Sequence, residues 1–219
     1  MTCIQAPWRP SRPAPGPRLP APHPKTAYTT ILLIAGISLP PDMLAFYQTT
    51  TGLFPTRSWH PVPSLHLPLV SLGNVPTSGE LEEMDQMFQS IHLPGPVEIR
   101  QRGYDIVEHR HRIFLQAVVD APGMDHLSVK IYHAAQRAGL SPTRPSPPFG
   151  IPLAEVSDAP PEEVSLWLNI HHQGYRQTEE VYASTVFSAG KNRDTHPLRV
   201  EAEYPFTAVP PPLEDPFQT

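Results

Sequence analysis

Apolar and polar positions along the chain change period several times, and each change predicts an element. Thr29 to Leu39 is β-branched and apolar and ends in Leu39-Pro40-Pro41, which predicts a buried strand stopped by proline. Asp42 to Thr51 predicts a short helix with Pro41 and Asp42 at its start, and Gly52 to Ser64 a loop rich in proline and aromatic residues. Leu65 to Leu72 alternates, with His66, Pro68 and Val70 on one face and Leu65, Leu67 and Leu69 on the other. A proline inside a strand leaves a ladder bond unmade, so Pro68 predicts an edge strand or a face opening on a cleft. Thr77 to His92 carries Leu81, Met84, Phe88 and Ile91 on one stripe, the period of an amphipathic helix, with Thr77 and Glu80 at capping-box spacing.

The second half continues in the same two periods. Val97 to Arg102 alternates, and Ile113 to Val119 is nearly all apolar, as in a buried central strand. The two read as a pair joined through Glu108-His-Arg-His111. Met124 to Ala138 is a second amphipathic helix with Gly139 as its stop. The proline-rich loop Ser141 to Pro148 leads into a strand from Phe149 to Val156. Three further strands are predicted, from the alternation of Val164, Leu166, Leu168 and Ile170, from Val181 to Phe187, and from Leu198, Val200, Ala202 and Tyr204. This order predicts an α+β fold of two similar lobes, each an antiparallel sheet with helices outside, around a central groove with pseudo-twofold symmetry.

One repeat stands out. Pro63-Ser-Leu-His-Leu-Pro-Leu69 and Pro147-Pro-Phe-Gly-Ile-Pro-Leu153 both read Pro-x-apolar-x-apolar-Pro-Leu, with His66 of the first copy replaced by Gly150 in the second. Related lobes would lay these two strands side by side in the groove.

Composition changes the picture in a few places. Prolines, 31 of 219 residues, crowd the ends. Residues 1–26 and 207–219 are therefore expected to be proline-rich tails around a domain at 27–206. Arginines without an apolar stretch near the N-terminus argue against a secretory signal, and no run approaches the roughly 20 apolar residues of a membrane span. The single cysteine, Cys3, excludes an intrachain disulfide and a cysteine-based metal site, and it suits a cytoplasmic location. A net charge of −5 exerts no general pull on nucleic acid, so an anion site must be local. Arg144, Lys191, Arg193 and Arg199 are the basic candidates.

The chemistry follows from the strand period. A histidine and a hydroxyl residue two positions on share one face. Two such strands would set two imidazoles and two hydroxyls around one site. One ring could take a proton from water while the other gives one to the leaving oxygen, with no metal or other cofactor. The sequence resembles the 2'-5' RNA ligase family, also called RNA 2',3'-cyclic phosphodiesterases, of the two-histidine (2H) phosphoesterase superfamily. The resemblance runs in order over roughly residues 27–206. Ile31-Leu-Leu-Ile-Ala-Gly-Ile-Ser-Leu-Pro40 is similar to the family's first strand, and His66-Leu-Pro-Leu-Val-Ser-Leu-Gly73 to its first His-x-Thr-Leu motif. Leu127 to Leu153 is similar to the helix, loop and second motif, and Tyr182-Ala-Ser184, Gly190 and Pro197-Leu198 to the C-terminal hairpin.

The resemblance implies hydrolysis of 2',3'-cyclic phosphate ends to 2'-phosphates by a monomeric hydrolase whose partner is an RNA end or nucleotide. The departures imply that this activity is impaired. His66 keeps the first catalytic position. Pro68 stands where the family has threonine, and Gly150, Pro152 and Glu155 stand where its second motif has histidine, threonine and, commonly, arginine. Proline donates no hydrogen bond, and glutamate reverses a phosphate-facing charge. A non-catalytic nucleotide, RNA-end or protein-binding paralogue is the alternative. His66 itself has a second reading as a structural residue facing the groove. His109, His111, His133, His171 and His172 read as exposed or locally hydrogen-bonded residues, and the paired ones make a poor metal site without nearby carboxylates.

Overall fold

The computed structural model describes residues 32–55, 57–74, 78–145, 147–190 and 196–206. The proline-rich ends, Thr77, Lys191 and Arg193 lie outside them. The elements run β1 (Leu32–Ser38), α1 (Pro41–Gly52), β2 (His60–Pro61), β3 (His66–Asn74), α2 (Ser78–Gln89), β4 (Val97–His109), β5 (Arg112–Asp120), α3 (Met124–Arg137), β6 (Phe149–Glu155), α4 (Pro161–Ile170), β7 (Thr178–Val181), β8 (Ala183–Ala189) and β9 (Arg199–Pro205).

They form two antiparallel sheets, of order β3-β1-β8-β9 and β2-β6-β5-β4-β7. The fold class is therefore α+β with two lobes, as the periodicity predicts. β3 is an edge strand, which is how Pro68 is tolerated. The helices change places between lobes. Ser128 of α3 donates to the carbonyl of Leu69 on β3 at 3.1 Å, and Tyr204 of β9 donates to Asp85 of α2 at 2.8 Å, so α2 and α3 cover the first sheet. Tyr47 of α1 donates to Gln101 Oε1 of β4 at 2.9 Å, and Trp167 of α4 packs edge-on against Tyr104 of β4. These contacts place α1 and α4 on the second sheet. Each sheet is thus buried on its helix side, where Leu33, Ala35, Ile37, Leu115, Ala117 and Val119 lie, and faces the groove with the other.

Three local readings are corrected. The segment Val164 to Ile170 is helix α4 and not a strand. Pro161 at its first turn, followed by Glu162 and Glu163, favours a helix start. Val164 and Trp167 are buried, a spacing of three, while Leu166 and Ile170 are about 60% exposed (59% and 62%). Alternation over a short stretch and a helical stripe share positions there, and the proline and acids of the first turn decide. The stretch Val181 to Phe187 is two strands. The chain leaves the second sheet at Val181, exposes Tyr182 and enters the first sheet at Ala183. Finally, Val70 is on the helix side, opposite His66, because a bulge intervenes.

The β4–β5 pair is longer than its apolar core suggested. Its turn is Arg110-His111, both at positive φ (53° and 63°), the backbone that a two-residue hairpin turn needs. α3 ends where expected, at Gly139 (φ 82°), with the N–H of Leu140 returning to the carbonyl of Ala135 at 3.1 Å.

Candidate active site in the groove between the sheets

The two repeats occupy matching places. β3 carries the first, beside β1, and β6 carries the second, beside β5. Each is bulged just after its proline. Gly36 pairs with Pro68 and Ala35 with Val70, which leaves Leu69 extra; Gln116 pairs with Pro152 and Leu115 with Ala154, which leaves Leu153 extra. A residue without an N–H suits a place where the ladder is already interrupted. The bulge also has a positional effect. An odd spacing from Pro152 to Glu155 would put Glu155 on the far face of a regular strand. The extra Leu153 returns it to the groove face with Gly150 and Pro152.

A cavity of about 210 Å³ joins the two lobes here. Ile34, His66 and Ala189 line it from the first sheet, and Arg112, Phe114, Pro152 and Glu155 from the second, with His60 of β2 at the rim. A larger, open hollow of about 820 Å³ lies on the outside against α3, with Lys130, His133 and Arg137 in its wall, and holds none of the motif residues.

His66 is half-buried. Its Nδ1 lies 3.1 Å from the carbonyl oxygen of Ser64, and its ring packs on Phe187 with centroids 5.1 Å apart. A carbonyl only accepts, so Nδ1 carries the proton and the neutral ring keeps Nε2 as an acceptor. Burial pushes the His66 pKa below its ordinary value, and the Ser64 hydrogen bond acts weakly the other way. The ring is therefore neutral at pH 7, in the form of a general base. Ser38, opposite His66 in the ladder, shares a 2.9 Å hydrogen bond with Thr185, so two hydroxyls near Pro68 engage each other.

In the second repeat, a side chain of β5 stands against the position that matches His66. A Cβ built on Gly150 would meet the amide of Gln116 at 2.4 Å. The Gln116 side chain, from β5, thus occupies the space into which a residue at 150 would project. Pro152 lies between Gly150 and Glu155 on the groove face. Glu155 pairs with Arg112 of β5 and accepts from Ser157 Oγ at 3.1 Å. The Arg112 hydrogen bond holds the Glu155 carboxyl below its usual range. A cation thus stands one strand over, at Arg112, and is already paired with Glu155.

The remaining candidates fall elsewhere. Arg144 pairs with Asp125 at 3.1 Å and lines an outer hollow near α3. Arg199 is exposed on β9. His171 stacks on Trp167 at 4.3 Å, and His172 lies 3.1 Å from the carbonyl of Asn169, both after α4 and not after a strand. His133 is exposed beside Gln136. His109 and His111 flank the hairpin turn. Among the described residues no group of three or more His, Cys, Asp or Glu is placed to hold a metal. Sequence reading missed Arg112, Gln116 and His60. Arg112, Phe114 and Gln116 are alternate positions of β5. The one detectable signal was a lone glutamine in the middle of an otherwise apolar strand.

No protein-family model and no curated protein matches the sequence. Solved structures do. The E. coli LigT complex with NADP+ superposes over 82% of this chain and 99% of its own, with a TM-score of 0.63 at 18% identity. The fold is that of LigT. Apo E. coli LigT gives a TM-score of 0.60 at 21% identity, again over 82% and 99% of the chains. TT0787 of Thermus thermophilus gives 0.56 at 17%, over 80% and 97%. No helix among the described residues is long and apolar enough to cross a membrane.

Proposed function

We propose that this chain is a degenerate member of the 2'-5' RNA ligase (RNA 2',3'-cyclic phosphodiesterase) family. In this reading its groove accepts a nucleotide or a phosphate-bearing RNA end and hydrolyses it far more slowly than a two-histidine site would. The observation that carries this is a retained and neutral His66 sharing one cavity with Pro152 and Glu155 of the second repeat, where the Gln116 amide stands against Gly150. The ligand class is supported by the LigT fold, since E. coli LigT has been solved with 3'-AMP, ATP and phosphate.

Opening a 2',3'-cyclic phosphate adds water to phosphorus and breaks one ester bond. Water loses a proton and the departing 3'-oxygen gains one. His66 Nε2 can serve as the acceptor. An amide has no proton to give at neutral pH, so Gln116 supplies the leaving oxygen with no acid. Loss of one such group costs on the order of 10²–10⁴ in rate. Missing hydroxyl donors at Pro68 and Pro152 remove further phosphate stabilisation. The reading takes the protein as a cytoplasmic monomer.

The test is incubation of the purified chain with an oligonucleotide ending in a 2',3'-cyclic phosphate, scored for the 2'-phosphate product. Slow turnover that disappears in His66→Ala is the expected result. Turnover equal in both proteins would remove His66 from the chemistry. Saturable binding of the same end without turnover would make the protein the non-catalytic binder.

A further inference from the structure

We propose that phosphate recognition in this groove has moved from the motif strands to β5, where Arg112, Phe114 and Gln116 form the binding strip and Glu155 competes with the ligand for Arg112. This rests on the reading that the groove takes a nucleotide or RNA phosphate end.

The strip follows from the alternation of β5. Leu115, Ala117 and Val119 are buried on the helix side, so Arg112, Phe114 and Gln116 face the groove. Register sets them opposite the degenerate motif. Phe114 pairs with Glu155, Gln116 with Pro152 and Val118 with Gly150. Arg112 and Phe114 line the same cavity as His66. The guanidinium lies 5.3 Å from the Phe114 ring centroid, an aromatic platform for a cation. Gln116 is half-buried, and its amide has no hydrogen-bond partner among the described residues. It stands against Gly150, beyond the lining of that cavity, with a donor and an acceptor unused.

The chemistry of the strip fits a phosphate ester. A guanidinium presents a planar fork that suits a carboxylate and a phosphate alike. The carboxylate of Glu155 now fills that fork. A phosphate must displace it, and on doing so leaves a half-buried carboxylate without its cation. Among the described residues the carboxylate facing Arg112 is Glu155, and the His60 ring, 3.8 Å from Asp158, lies half-exposed at the rim. Phosphate affinity is accordingly held down by Glu155 and not by lack of a cation.

Calorimetric titration at low salt, with 3'-AMP as ligand and adenosine as the phosphate-free control, tests this on the full chain. Glu155→Gln is expected to bind 3'-AMP about tenfold more tightly than the unmodified chain and adenosine no better, since one charge-assisted hydrogen bond pair is freed. The double variant Glu155→Gln with Arg112→Gln is expected to lose the whole gain. It buries no unpaired charge, so its fold is kept, as thermal unfolding will show. Gln116→Ala in the Glu155→Gln background is expected to weaken 3'-AMP binding by roughly fivefold. The proposal fails if the unmodified chain binds 3'-AMP and Glu155→Gln binds it no better, which leaves the functional reading intact. It also fails if the gain survives the loss of Arg112. If no form of the protein, Glu155→Gln included, binds 3'-AMP, both the strip and the functional reading fall.

Discussion

The His66 ring is held in one protonation state by two opposed influences, and burial wins. Packing on Phe187 strips solvent from the imidazolium, and the Ser64 carbonyl stabilises it only partly. An unfolded histidine titrates near 6.5. The folded pKa is lower, so as pH falls the unfolded chain takes up this proton first. The resulting stability is complete above about 6.5 and is lost as pH drops from there through the folded value. NMR titration of the His66 ring should give a midpoint below 6.5. Thermal unfolding from pH 7 to 5 should fall less steeply in His66→Gln than in the unmodified chain. Glu155 is the counterpart, a carboxyl kept ionised by Arg112.

At the scale of elements, the two bulges after Pro68 and Pro152 shape the groove. They turn Val70 inward and Glu155 outward, against simple alternation. The first bulge also brings β1 and β3 unusually close. A Cβ on Gly36 would lie 2.5 Å from the backbone oxygen of Leu67, one residue from His66. Backbone cannot swing aside as a side-chain end can. Gly36→Ala should therefore cost about 1–3 kcal/mol of stability, read from urea unfolding, and displace β3. Alternation alone also misread α4, where apolar residues at every second position mask burial at a spacing of three. Pro161, Glu162 and Glu163 were the better signal, since they describe how a helix begins.

For the whole molecule, the arrangement of two lobes sets what repair would take. Each motif strand lies beside a different partner, and the two sheets meet across one cavity. Gly150→His alone drives an imidazole into the Gln116 amide. That amide is the far end of a flexible side chain and can yield, but it would still crowd the ring. Gly150→His combined with Gln116→Ala, Pro68→Thr, Pro152→Thr and Glu155→Gln clears the space and frees Arg112. We expect this variant to open a 2',3'-cyclic phosphate on the order of 10²-fold faster than the unmodified chain. His66→Ala in the same background should abolish the gain. No gain in a folded variant would mean that the two strands do not act on one phosphate.

Sequence alone determined the α+β class and the positions of the helices other than α4, offered an edge strand as one of two readings of Pro68, and displayed the repeat that aligns His66 with Gly150. These are legible because period, proline placement and a repeated motif are local properties of the chain. Only the tertiary structure decided what stands against Gly150 and Glu155. Arg112 and Gln116 lie far before Gly150 in the chain and reach it solely through the β5–β6 ladder, whose register and bulge are set by packing of the sheet on its helices. Likewise the cation that balances Glu155, and the switch of the chain between sheets at Tyr182, are consequences of which strands become neighbours. A strand's own residues state which of them share a face. Which strand that face will meet is decided by the fold as a whole.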